Sequence, residues 1–371
     1  MDNDSIANDL AALNESIASV LAAECGREAV HDYFDQQRRL DERLWTLAAE
    51  QGWLGIGLPE AYGGLELGAH GLDVLYRQLG RKLTPGAFTP TLAAAQWLSE
   101  IGPKSLKRML LPEVIAGTRT FALPLAGEGS PLPLTAGRLS GTTDLMLSGR
   151  SPSIAIVPAL QDGVAAFALV SRDTPTAIFE QADIWDKTRC VGRLTLSSAE
   201  PLALIGDANG FVGGALRRCL CMAVAGDCVG SARSLVEQTV EYLKQRVQFG
   251  RPLASFQALK HRCADLMTAV IHVEEMLDQA VHAMADGEPS ADMWANLAKA
   301  SAGETFKYVA EDCLQLWGGV GFTWEFDCHI HLKRALLNRE IAGNAGLLRD
   351  LAASYFAEAT RAGTTTAELT L

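Results

Sequence analysis

The apolar spacing of this chain changes twice along its length, and that pattern limits the folds open to it. From about residue 5 to 118, apolar residues recur at helical intervals, as in Leu40, Leu44, Leu47 and Ala48, then Leu72, Leu75 and Leu79. One stretch, Gly55 to Gly68, breaks the period with Pro59, Gly63 and Gly64 and reads as a loop. From about 119 to 205, short apolar runs (Phe121–Leu125, Leu145–Leu147, Ile154–Leu160, Val164–Val170, Leu194–Leu196) alternate with Gly, Ser, Pro and Asp, which is strand-and-turn texture. From about 211 to 358 the helical period returns in longer segments. Leu259, Cys263, Leu266, Val270, Val273, Leu277 and Val281 form one stripe, stopped by Gly287-Glu288-Pro289. A second helix is expected from about Ser290 to Leu316, ending at the C-cap signal Gly318-Gly319, and the tail Ala362–Thr366 is expected to fray. The fold class expected is α+β and mostly helical: an N-terminal helical domain over 1–118, a middle β-domain over 119–208 and a C-terminal helical bundle over 209–371. A β-domain set between two helical blocks leaves a cleft between layers.

Composition narrows the function classes. A length of 371 residues suggests two or three structural units, and 48% hydrophobic with 20% charged residues excludes global disorder. Lys and Arg number 32 against 44 Asp and Glu, a net charge of −12 with no basic block, so no nucleic-acid partner is expected. An anionic substrate stays open, because a local site can be basic. The longest apolar runs, Val164–Val170 and Cys219–Ala225, fall well short of the roughly 20 residues of a membrane span. Met1-Asp2-Asn3-Asp4 lacks the basic-then-apolar order of a signal peptide, so the expectation is a cytoplasmic protein with no membrane partner. Eight cysteines without a CxxC pair read as small buried hydrophobes.

Two segments carry candidate chemistry. In Arg246-Val247-Gln248-Phe249-Gly250-Arg251-Pro252, followed by Phe256-Gln257, a helix ends near Arg246, a turn follows, and a new helix starts around Ser255. Arg246 can serve as a plain helix C-cap cation, or its fork can bind a phosphate, with Phe249 as a flat surface and Gln257 as a two-way hydrogen-bonding group. In Gln315-Leu316-Trp317-Gly318-Gly319-Val320-Gly321-Phe322, closely spaced glycines let the backbone approach an anion or nucleotide, or simply end a helix. This is not GxGxxG after a strand, so a Rossmann site is not indicated.

Taken together, the two segments resemble the acyl-CoA dehydrogenase family, whose patterns are Arg-x-x-Phe-Gly with a Gln shortly after, and Gln-x-x-Gly-Gly-x-Gly-Phe/Tyr. Gly52-Trp53, Leu58-Pro59-Glu60-Ala61-Tyr62-Gly63-Gly64, Leu79-Gly80-Arg81, Asp186-Lys187-Thr188-Arg189 and Ile205-Gly206-Asp207 are similar to further family segments. The resemblance implies a helical domain, a β-domain and a C-terminal four-helix bundle, with FAD at a subunit interface. Arg246, Gln248, Phe249, Gln257, Gln315, Gly318 and Gly319 would hold the ADP half of a flavin whose ring lies on the neighbouring subunit.

The sequence also departs from the family. Dehydrogenation of an acyl-CoA needs a carboxylate base beside the flavin. The usual Glu-Gly falls here on Ala342-Gly343, and the alternative Glu-Arg of some members falls on Leu220-Cys221, so no catalytic base is assigned. The family's Thr-Glu-Pro-x-Ala-Gly-Ser-Asp stretch reads Leu123-Pro124-Leu125-Ala126-Gly127-Glu128-Gly129-Ser130, and its Trp-x-Thr/Ser-Asn-Gly segment has no clear counterpart. The pattern resembles the non-catalytic subunit of heteromeric (α2β2) acyl-CoA dehydrogenases that act on CoA thioesters of steroid side chains and similar bulky acids. That resemblance implies FAD shared with a catalytic partner subunit, an acyl-CoA substrate reached through the complex, and an electron-transfer flavoprotein as acceptor. Alternatives are a homo-oligomeric dehydrogenase with a relocated base such as Glu340, or a non-enzymatic scaffold that keeps the fold. Asp327-Cys328-His329-Ile330-His331 offers metal-ligand types but no set of four, so no metal is expected. His261 is expected to pack within the helix that Gln257 opens.

Overall fold

The computed structural model describes residues 3–34, 40–149 and 151–361, and the expected frayed tail at 362–366 lies outside them. Six helices come first: α1 (Asn3–Glu24), α2 (Arg27–Phe34), α3 (Leu40–Glu50), α4 (Gly68–Arg81), α5 (Phe88–Ile101) and α6 (Lys104–Ile115). The expected loop after α3 is tightly folded: a Cβ on Gly64 would sit 2.0 Å from the Leu58 carbonyl oxygen.

Nine strands follow: β1 (Phe121–Pro124), β2 (Leu132–Thr135), β3 (Arg138–Thr142), β4 (Met146–Ser148), β5 (Ile154–Gln161), β6 (Val164–Ser171), β7 (Ala177–Gln181), β8 (Cys190–Ala199) and β9 (Ala203–Gly206). Their pairing order is β1-β4-β8-β3-β2-β5-β6-β9, with β7 added on β8; β1 also pairs with β5, so the sheet closes on itself. Alternation along the strands sends successive side chains to two cores. Ala155, Val157, Ala168 and Val170 face the inside of the closed sheet. Ile154, Ile156, Phe167 and Leu169 join the helical core. The apolar runs do not mark β2, β3, β7 and β9, because these strands are only four or five residues long and partly exposed.

The helices that return are α7 (Phe211–Gln245), α8 (Gln257–Ala285), α9 (Ala291–Trp317), α10 (Cys328–Asn338) and α11 (Ala345–Arg361). Between α7 and α8 lies a short hairpin, β10 (Val247–Gln248) paired with β11 (Arg251–Pro252). Helix α9 packs against α7, α8, α10 and α11. The apolar stripe on α8 is its packing seam, with Leu266, Val270, Val273, Leu277 and Val281 buried. One expectation is corrected: α7 is long and apolar enough by length and composition to cross a membrane. Its most apolar stretch is 94% buried within the protein, however, as suits a central core helix.

Candidate functional site

Helix α7 runs out at Gln245, and Arg246 turns extended, its N–H still bonded to the Tyr242 carbonyl at 2.9 Å. The chain then reverses through the β10–β11 hairpin, whose tip residues Phe249 (φ 54°) and Gly250 (φ 77°) both have positive φ. A two-residue hairpin of the primed type requires this at both positions, and for a Phe it is strained. The Phe249 ring is 86% exposed. The hairpin is braced from below by Arg251, whose guanidinium lies 3.9 Å over the Phe256 ring, and by a 2.8 Å bond from the Leu253 N–H to the Arg246 carbonyl. Gln257 is the first residue of α8, just after this hairpin, where the first N–H groups of a helix have no intrahelical partner.

The second segment arrives at the same place. Trp317, the last residue of α9, stacks on Tyr242 near the end of α7 with ring centroids 4.0 Å apart and planes 9° from parallel. Its indole N–H donates to Thr239 Oγ1 at 2.9 Å. This lock sets Gln315, Gly318 and Gly319 beside the stretch that leads into Arg246, although some 70 residues separate the two segments. Gly318 has φ 66° and ψ −147°, open only to glycine, and a Cβ on Gly318 or Gly319 would meet nothing within 4 Å. Arg246, Gln248, Gln257, Gln315, Gly318 and Gly319 are all exposed. Among the described residues Arg246 has no ion-pair partner, so its charge is available to a ligand. A guanidinium, a helix N-terminus and uncovered glycine backbone fit a pyrophosphate chemically.

The two positions that the resemblance assigns to the base, Ala342 and Leu220, hold no carboxylate in this sequence. Ala342 is fully buried with φ 63°, and its N–H donates to the Leu125 carbonyl at 2.7 Å. Leu220 and Cys221 lie buried inside α7, and burial pushes the Cys221 thiol up to about 11, so it stays protonated. Glu340 is exposed on the turn before Ala342. Beneath that turn lies a residue the sequence analysis did not single out. Lys299 of α9, 1% exposed, donates from Nζ to the Arg339 carbonyl at 2.8 Å and to the Gly343 carbonyl. Its ammonium replaces water for two carbonyls, while burial lowers its pKa.

Asp186-Lys187-Thr188-Arg189 feeds a buried ion network at the junction of all three stretches of chain. Asp227 of α7 receives Arg334 Nε at 3.0 Å and Asn338 Nδ2 at 2.7 Å from α10, and Arg189 Nη2 lies 3.0 Å from its Oδ2. Arg334 also donates to Thr188 Oγ1 at 2.9 Å and the Thr84 carbonyl at 3.2 Å, and Arg189 to Thr89 Oγ1 at 2.7 Å. Burial alone would raise the Asp227 carboxyl, but the two guanidiniums and their hydrogen bonds outweigh it and hold it well below the usual range. Asp227 carried a signal that could have been noticed, being the one charge in the apolar run from Cys219 to Ala232.

The Asp327–His331 run opens α10. Asp327 Oδ1 lies 2.6 Å from His31 Nε2 of α2, while His329 and His331 are buried. Among the described residues no three His, Cys, Asp or Glu side chains group as metal ligands. His261 is exposed on α8 rather than packed, because it falls outside the helix's buried stripe.

Comparison with known proteins accords with this architecture. Residues 8–118 match the acyl-CoA dehydrogenase N-terminal domain, and residues 221–355 the acyl-CoA dehydrogenase C-terminal domain. The acyl-CoA dehydrogenase IpdE2 of Mycobacterium tuberculosis is 31% identical over 87% of this chain and 89% of its own length. FadE34 of the same organism, also an acyl-CoA dehydrogenase, is 30% identical over 76% of this chain and 38% of its own length. The solved Tcur3481-Tcur3483 steroid ACAD variant superposes with a TM-score of 0.87 at 28% identity, covering 96% of this chain and 99% of that one. The chain belongs to the acyl-CoA dehydrogenase family, a family of oxidoreductases, and has its mostly helical α+β fold.

Proposed function

We propose that this chain is the flavin-clamping, base-deficient subunit of a heteromeric acyl-CoA dehydrogenase. Its complex would desaturate CoA thioesters of bulky acids, steroid side chains among them. The observation that carries the proposal is the contrast between two ends of the same bundle. At one end Arg246, Gln257, Gln315, Gly318 and Gly319 converge in the open with an unpaired cation. At the other, the base position is a buried alanine sealed against Leu125. The steroid ACAD in two named components supports both the pairing and the substrate class, and the fold is shared with a two-component complex, ChsE4-ChsE5 from Mycobacterium tuberculosis (TM-score 0.84, 24% identity, 94% of this chain and 97% of that one).

The cofactor in this proposal is FAD, present in a solved acyl-CoA dehydrogenase of the same fold from Bacillus anthracis (TM-score 0.86, 20% identity, 97% of this chain and 70% of that one). When bound, FAD supplies the hydride acceptor. Arg246 would hold its pyrophosphate by a charge-assisted fork, Gln257 and Gln315 would hydrogen-bond the nucleotide half, and the bare backbone of Gly318 and Gly319 would let it approach. Phe249 and Gln248 would cover it from the hairpin. The domains assigned over 1–118, 119–208 and 209–371 would then divide the work, the last one facing the partner. Electrons would leave through an electron-transfer flavoprotein.

The test is the visible flavin spectrum of the chain purified alone and after co-expression with a family member that has an intact Glu. A colourless chain that yields a yellow complex bleached by acyl-CoA is expected. A yellow chain alone that is bleached by acyl-CoA would overturn the proposal in favour of a relocated base such as Glu340, and absence of flavin from both preparations would favour a scaffold. Ala342→Glu in the isolated chain should not create acyl-CoA-dependent dye reduction, because on this proposal the chain alone holds no flavin.

A further inference from the structure

The closed sheet has an open end that the flavin-clamp reading does not use. Where β5 begins and β6 ends, the inward-facing Ala155 and Val170 stand opposite Leu194 of β8, and a cavity of about 300 Å³ opens between them. Strand β7 forms its outer wall through Ala177 and Phe179. Among the described residues this strand pairs only with β8, and none continues the sheet across the gap. The floor is apolar because of strand alternation, and it is deep because two of the inward positions are alanine. Packed interiors rarely leave such space beside apolar side chains, since unfilled walls forfeit dispersion contacts. The lip has a different character: it carries the Ser151 hydroxyl and Arg172. Among the described residues Arg172 has no ion-pair partner.

We propose that the mouth of this sheet binds a small amphipathic carboxylate, its hydrocarbon chain on the Ala155–Val170–Leu194 floor and its head group on Arg172. At roughly 30 Å³ per water-sized group, the cavity holds about ten heavy atoms, the size of a medium-chain carboxylate. Such mouths of small closed sheets are a recurrent place for ligands.

Octanoate titrated into the full chain by calorimetry tests this, with octanol as the uncharged control. Saturable octanoate binding at least several-fold tighter than octanol is expected. Arg172→Ala should weaken octanoate about tenfold or more while leaving octanol unchanged, as loss of a charge-assisted bond predicts. Ala177→Phe, on the edge strand, should fill the cavity and abolish both. Octanoate binding that neither variant alters would put the ligand elsewhere and overturn the proposal, as would octanol binding equally well or no binding at all. Arg172 is exposed, so its variant keeps the test decisive even if Ala177→Phe melts early.

Discussion

Arg246 illustrates how one side chain gains meaning from its surroundings. As a helix-terminal cation it is commonplace. It becomes a ligand-binding candidate because it stands exposed with no ion-pair partner among the described residues, and α9 delivers two bare glycines beside it. If it grips a phosphate, Arg246→Ala removes a charge-assisted bond worth about 1.5–3 kcal/mol. Flavin retained by the assembled complex should then fall about tenfold or more in affinity, measured by release on dilution. Unchanged retention would count against the clamp. This residue was legible in the sequence because the motif that carries it is local. Lys299 was not, since a lone Lys in a helix gives no sign that its ammonium will meet the Arg339 and Gly343 carbonyls 40 and 44 positions further on.

At the scale of elements, the crossing of α4 and α7 depends on missing side chains. A Cβ on Gly230 would lie 1.9 Å from the Arg77 carbonyl oxygen, and one on Gly80 would lie 2.2 Å from that of Asp227. Both obstructions are backbone, so the helices themselves would have to part. Gly230→Ala should therefore destabilise by about 1–3 kcal/mol or more despite its better helix propensity, lowering the thermal midpoint. A neutral or raised midpoint would show that the crossing is loose. Helix periods in the sequence foretold α8 and α9 closely, because a stripe buried on one face leaves a 3.6-residue trace. Strands β2, β3, β7 and β9 left little trace, because four or five partly exposed residues are too few to show a period of two.

At the scale of the whole molecule, the Asp227 network ties the first helices, the strands and the bundle together. Asp227→Ala would strand Arg189 and Arg334 as buried, uncompensated charges, at a cost of about 3–5 kcal/mol in urea unfolding. Acid should loosen the same region. Burial pushes His329 down to about 4 and His331 to about 3 from an ordinary 6.5. The unfolded chain takes up these protons first, so their contribution is full above pH 6.5 and is lost progressively as pH falls towards 3. Asp227, held low, works in the same direction at the bottom of that window: its stabilisation is present above the ordinary carboxyl pKa of 3.8 and lost below it. Thermal midpoints should fall steadily from pH 7 to 4, and less steeply in His331→Phe. A midpoint flat across that range would contradict neutral buried histidines.

By itself the sequence determined what is written in short-range spacing: the order of helices, strands and helices, the turn chemistry at Gly250 and Gly318, and the absence of a Glu at 342. Each rests on residues a few positions apart, where backbone geometry and side-chain type act directly. Only the tertiary structure decided that the Arg246 and Gly318 segments share one end of a bundle, that Asp227 lies between two arginines, and that six of the nine strands close into a ring beside an open-ended cavity. Those depend on contacts between residues tens to hundreds of positions apart, which packing selects and local spacing does not record.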